Sequence, residues 1–71
     1  MIKNDIPKLQ KYLRRIFRTE ALRIVAQPKK KDMAEVFIAE EFIATLYREE
    51  EDGEVSFQLQ MAILDMDLED G

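Results

Sequence analysis

Residues 34–61 read AEVFIAEEFIATLYREEEDGEVSFQLQM, and the fold turns on how this stretch divides. Val55-Ser56-Phe57-Gln58-Leu59-Gln60-Met61 alternates apolar and polar side chains without a break, the period-2 pattern of a strand with one face on a core. Asp52-Gly53 just before it is a dipeptide that accepts positive φ at both central positions of a tight hairpin turn. Upstream, Ala34-Glu35-Val36-Phe37-Ile38-Ala39 and Phe42-Ile43-Ala44-Thr45-Leu46-Tyr47-Arg48 flank a connection at Glu40-Glu41, a second hairpin. The stretch therefore predicts three consecutive antiparallel strands, at about 34–39, 42–48 and 54–64, the last being the longest. A phase slip at Ile63-Leu64 predicts a bulge or a separate short segment there.

Further upstream, Leu22, Ile24 and Ala26 alternate with Arg23, Val25 and Gln27 up to Pro28, which adds a strand over about 21–27. Before it the period becomes helical. Ile6, Leu9, Leu13, Ile16 and Phe17 recur at helical spacing, Asn4 or Asp5 can cap, and Pro7 falls within the first turn, which predicts a helix over 5–18. Residues 65–71 form a tail, in which Leu64, Met66 and Leu68 continue the alternation from just before it and Glu69-Asp70-Gly71 is expected to fray. The expected fold is a single α+β domain over 1–71: one N-terminal amphipathic helix packed on a three- to four-stranded antiparallel meander sheet.

One helix about 10 Å wide covers one face of such a sheet. The hairpin register decides what the other face carries. A three-residue turn after Ile38 places Ala34, Val36, Ile38, Phe42, Ala44 and Leu46 on one face and Phe37, Ile43 and Tyr47 on the other, whereas a two-residue turn redistributes them. Either way large apolar side chains remain on both faces. An uncovered apolar face on a small domain marks a partner surface, most economically for a second copy of the same chain. Phe37, Ile43, Tyr47 and Phe57 are the candidate protein contacts. The competing expectation is that Leu64, Met66 and Leu68 of the C-terminal segment fold back and shield them.

Charge is divided along the chain. The first 31 residues carry ten basic and two acidic side chains, and residues 32–71 carry one basic and thirteen acidic. On the helix, Lys8, Lys11, Arg14, Arg15 and Arg18 fall opposite the apolar stripe with Tyr12 at the border, a candidate surface for a nucleic-acid backbone. Engaging four phosphates would give a log-log salt slope of about −3.6 on duplex DNA. Two points weigh against it. Exposed Lys and Arg also pack their stems over core edges in ordinary domains, and Tyr12 alone interleaves the basic residues. In a meander, moreover, residues 29–31 emerge at the same end of the sheet as the acidic residues 49–52, about two strand spacings or roughly 10 Å away, close to one Debye length.

Composition excludes much chemistry. With no His and no Cys there is no disulfide, no zinc site of the usual kinds, and no base for Ser56, so triad-type nucleophilic catalysis is excluded. Two glycines, Gly53 and Gly71, cannot build a phosphate-cradling loop. Setting Gly53 at the sixth position of a calcium loop puts Arg48 first and Leu59 twelfth, where a carboxylate is needed, and the spacing of Asp65, Asp67 and Glu69 has no bidentate Glu to follow. No catalytic residue, metal ligand, cofactor, small-molecule substrate or membrane contact is expected. The first residues lack the apolar run of a signal peptide, so a soluble cytoplasmic chain is expected.

The EEFI hairpin (40–43), the YREEEDGE turn (47–54) and the terminal MAILDMDL (61–68), together with the helix KLQKYLRRIF (8–17), resemble a family of short uncharacterised alphaproteobacterial proteins known as a domain of unknown function. The resemblance covers most of the chain. It implies a cytoplasmic bacterial protein and carries no catalytic or binding residues. The expected function is a non-catalytic protein–protein interaction module that self-associates, as a homodimer, or docks on a larger complex through an apolar sheet face. The alternative is a nucleic-acid-associated protein using the basic helix face.

Overall fold

Gln10 and Arg14 point from one helix to the backbone of one strand, and the layers are arranged around that contact. The computed structural model describes residues 1–61, 63 and 65–68. A 3-10 helix over Ile2–Asp5 leads directly into α1 (Ile6–Phe17), followed by β1 (Leu22–Ala26), β2 (Met33–Ile38), β3 (Glu41–Glu51), β4 (Glu54–Gln60) and a single helical turn, α2 (Asp65–Leu68). The strands form an antiparallel sheet in the order β1-β2-β3-β4, the α+β meander that the alternation predicts.

Helix α1 starts at Asp5 with Pro7 in its first turn, where a missing N–H costs nothing. The Asp5 carboxylate makes no capping bond, because it faces Arg48 instead. The helix ends at Arg18, which takes the left-handed conformation (φ 55°) and lets Thr19 N–H donate to Arg14 O. Its apolar stripe packs chiefly on β1, and Leu13 enters the core with Leu22, Ile24, Ala34, Val36, Ala44 and Leu46. Ile6, Leu9 and Phe17 pack around the edge of that core.

The β2–β3 hairpin departs from the predicted connection. Its turn has two residues, Ala39-Glu40, with Ala39 at φ 56° and Ile38 paired to Glu41. A two-residue turn alone would place Ile43 opposite Val36. A bulge at Ile43 shifts the register, so that Phe37 pairs with Phe42 while Val36 pairs with Ala44. The extra residue restores Ala44 and Leu46 to the core, while Phe42, set opposite Phe37 by the turn, lies on the other face. Ile43 has no partner in this register and packs against the core, which corrects its expected place on the open face.

Strand lengths differ as well. The acidic run 49–51 belongs to β3, which is the longest strand with 11 residues, and β4 has 7. The turn between them is the expected Asp52-Gly53, at φ 53° and 83°. Because β2 ends opposite Tyr47, this acidic tip runs past the sheet by about three residues or 10 Å. Asp65–Leu68 is a short separate segment, helical and without the strand-like alternation expected of Leu64, Met66 and Leu68, and the predicted slip at Leu64 and the tail end 69–71 lie outside the described residues.

The 3-10 helix was not legible in the sequence. It packs on β2, Ile2 N–H donates to Lys31 O at 2.9 Å, and the Ile2 side chain is 1% exposed. Ile2→Ala should cost about 2–4 kcal/mol in urea unfolding. A loss under about 0.5 kcal/mol, the range of surface substitutions, would show that this turn is not part of the core.

Candidate functional site

Alternation assigns every strand residue to one of two faces, and the four candidate contacts divide between them. Leu46 pairs with Leu59, Arg48 with Phe57 and Glu50 with Val55, so β4 turns Val55, Phe57 and Leu59 toward the helix side. Tyr47 pairs with Gln58 and Met33 with Tyr47, which places these on the open side. Phe37 and Tyr47 therefore lie on the open face, whereas Phe57 and Ile43 lie against the core on the helix side.

The open face is partly self-covered. Arg23, Phe37 and Phe42 are successive cross-strand partners on β1, β2 and β3. The Arg23 guanidinium sits 4.6 Å over the Phe37 ring, and Phe42 meets Phe37 edge-on at 5.7 Å. Such stacking is worth about 0.5–1.5 kcal/mol beyond area burial and leaves Phe37 half-buried. Phe42 (51%), Tyr47 (36%) and Val25 stay exposed, while β4 contributes only Glu54, Ser56, Gln58 and Gln60 to this face. Among the shielding residues proposed from the sequence, Leu68 is itself exposed, and Leu64 and the Met66 side chain lie outside the described residues.

On the helix side the uncovered apolar surface is the β4 row. Helix α1 packs over β1, far from the opposite edge of the sheet, so Val55 (45%), Leu59 (37%) and the following Met61 (46%) remain exposed beside half-buried Phe57. On the helix side the exposed apolar surface thus gathers at β4, and on the open face it spans β1 to β3.

The two edges of the sheet are not equivalent. On β1, Ile24 N–H donates to Gln10 Oε1 at 2.9 Å, and Arg14 Nε donates to Leu22 O at 2.8 Å. Ala21 O accepts from Ala39 N–H on the β2 side, so Leu22 and Ile24, of opposite parity, point their backbone groups outward. Two side chains one helical turn apart therefore occupy the free edge of β1, a form of edge protection. This contact takes Arg14 out of the free basic face. Lys8, Lys11, Arg15 and Arg18 remain exposed, and Arg15 stacks on Tyr12 at 5.4 Å.

Arg48, the one basic residue after position 31, joins the two halves. Its Nη2 lies 3.1 Å from Glu50 Oε1 and its Nε 3.5 Å from Asp5 Oδ2, and its N–H donates to Asp32 O at 2.8 Å. It is a structural clasp between the 3-10 helix, β2 and β3. Among the described residues, no three Asp or Glu side chains converge in a way that could hold a metal ion.

Residues 5–67 match the family model described as Protein of unknown function (DUF3126). No curated protein and no solved structure matches the chain.

If Gln10 closes the β1 edge, Gln10→Ala should cost about 1–2 kcal/mol, because it leaves a partly buried N–H without a partner. Hydrogen exchange at the Ile24 amide should accelerate more than that of its neighbours on β2. An unchanged Ile24 exchange rate would remove the helix from its role at this edge.

Proposed function

The chain belongs to the DUF3126 family, whose description names no activity, and we propose that it is a non-catalytic protein–protein interaction module that self-associates through the apolar sheet surface left uncovered by its single helix. The observation that carries this reading is the concentration of exposed apolar side chains at the β3–β4 half: Val55, Leu59 and Met61 on one side, Phe42 and Tyr47 on the other. An exposed apolar row such as Val55, Leu59 and Met61 on a small domain is a usual mark of a contact surface. A cytoplasmic setting and an alphaproteobacterial origin belong to the same reading and rest on the resemblance carried by EEFI, YREEEDGE and MAILDMDL.

The alternative, binding of a nucleic-acid backbone by the helix, has less to stand on than the sequence offers. Arg14 is committed to Leu22 O, and the uncommitted cations are spread along a convex helix surface. Three substitutions, Lys8→Glu, Lys11→Glu and Arg15→Glu, should leave retention on immobilised duplex DNA at low salt unchanged. Strong wild-type retention that these changes abolish would reverse the order of the two readings.

The direct test is the solution mass by light scattering over a wide dilution series. The expected result is twice the chain mass, falling toward the monomer only at the lowest concentrations. A monomer throughout removes self-association and leaves the apolar surface to a different protein.

A further inference from the structure

Resting on the self-association reading and specifying its geometry, we propose that two copies of this chain pair antiparallel along β4, centred on Gln58, to form one continuous eight-stranded sheet. The starting observation is the unprotected edge. Arg48 N–H donates to Asp32 O, so the even-numbered residues of β3 near this point bond toward β2 and its odd-numbered residues bond toward β4. Tyr47 pairs with Gln58 and Glu49 with Ser56, which leaves Val55, Phe57 and Leu59 with their N–H and C=O groups directed outward from the sheet. Natural edges are blunted by Lys, Pro, inward charges or a covering element. Residues 55–61, VSFQLQM, contain no charge and no proline, whereas the opposite edge is occupied by Gln10 and Arg14.

The strand is complementary to itself. With Gln58 on the two-fold axis, Phe57 faces Leu59, Val55 faces Met61 and Ser56 faces Gln60 of the second copy, apolar opposite apolar and polar opposite polar. In this register the outward-directed groups of Val55, Phe57 and Leu59 all fall in hydrogen-bonded pairs, and Gln58 faces Gln58 in a non-hydrogen-bonded pair. The exposed helix-side row gains cross-strand apolar partners, the unit of sheet stabilisation.

Repulsion between the two hairpin tips disfavours the parallel direction. Residues 49–52 and Glu54 place five carboxylates at the tip of each β3–β4 hairpin. Parallel pairing would set the two tips side by side, while antiparallel pairing separates them by the length of the paired strand, about 24 Å, or some three Debye lengths at physiological salt. The blocked β1 edge also closes the assembly at two copies, since a second free edge would propagate it into a fibre.

The absence of cysteine allows a direct test. Single-cysteine variants Gln58→Cys, Phe42→Cys and Tyr47→Cys of the full chain are equilibrated in a glutathione redox buffer, and disulfide-linked dimer is measured alongside the light-scattering mass. Non-hydrogen-bonded partners lie about 4.5 Å apart at Cα, within disulfide range, so Gln58→Cys should cross-link at least about tenfold more than either open-face variant. Leu59→Lys, which keeps the native circular dichroism and urea midpoint as a control for folding, should weaken dimerisation about tenfold by disturbing two symmetric cross-strand pairs. A dimer that cross-links through Phe42→Cys or Tyr47→Cys and not through Gln58→Cys overturns edge pairing while self-association stands. A monomer at every concentration overturns both.

Discussion

Two hydrogen bonds, Ile24 N–H to Gln10 and Arg14 to Leu22 O, determine where the helix lies on the sheet. Each is worth about 1 kcal/mol net, less than the roughly 1.5–3 kcal/mol from burying a side chain such as Leu13 or Leu22. Burial therefore supplies the stability and the bonds choose the position. A helix centred on a four-stranded sheet would shelter the middle strands from both sides. Drawn to the β1 edge, α1 encloses a core that runs from Leu13 through Leu22, Ile24, Val36 and Ala44 and thins out beyond Leu46. The exposed row on β4 and the difference between the two edges follow from that one displacement.

The core survives a short turn because β3 carries an extra residue. Ala39-Glu40 closes the hairpin in two residues, which would turn Ala44 and Leu46 outward had the strand continued regularly. The bulge at Ile43 reverses the phase, while the two-residue turn itself sets Phe42 against the ring of Phe37 under the Arg23 guanidinium. Turn and bulge thus divide the work: the turn brings the two aromatic rings together on the open face, and the bulge completes the core on the other.

Much of this is legible in the sequence, and the omissions have physical reasons. Periodicity locates α1 and the four strands because burial on one face imposes it, and Asp52-Gly53 announces its turn because few other pairs tolerate two positive φ values. The bulge is invisible, since EFIATL reads equally well with Ile43 or Ala44 in phase. Ile2 is missed because nothing periodic surrounds it. Arg14 looks like a free cation until its strand partner is known. The division of the contact candidates follows from the register: Phe37 and Tyr47 share the open face, and Phe57 and Ile43 turn to the core.

The charge asymmetry acquires a structural meaning in this arrangement. In sequence it separates a basic half from an acidic half and invites a search for an anionic partner. In the fold, Arg48 binds Asp5 and Glu50 and fastens the halves together, and one helix cation is spent on the β1 edge. Five carboxylates, at 49–52 and 54, stand on a hairpin tip that runs about 10 Å beyond β2, at one end of the uncharged run 55–61. An uncharged strand edge is an aggregation hazard unless its pairing is restricted. A cluster of like charges at one end of that strand restricts it, because it penalises a parallel alignment that sets the two hairpin tips side by side. The acidic run is best understood as setting the direction in which β4 accepts another strand.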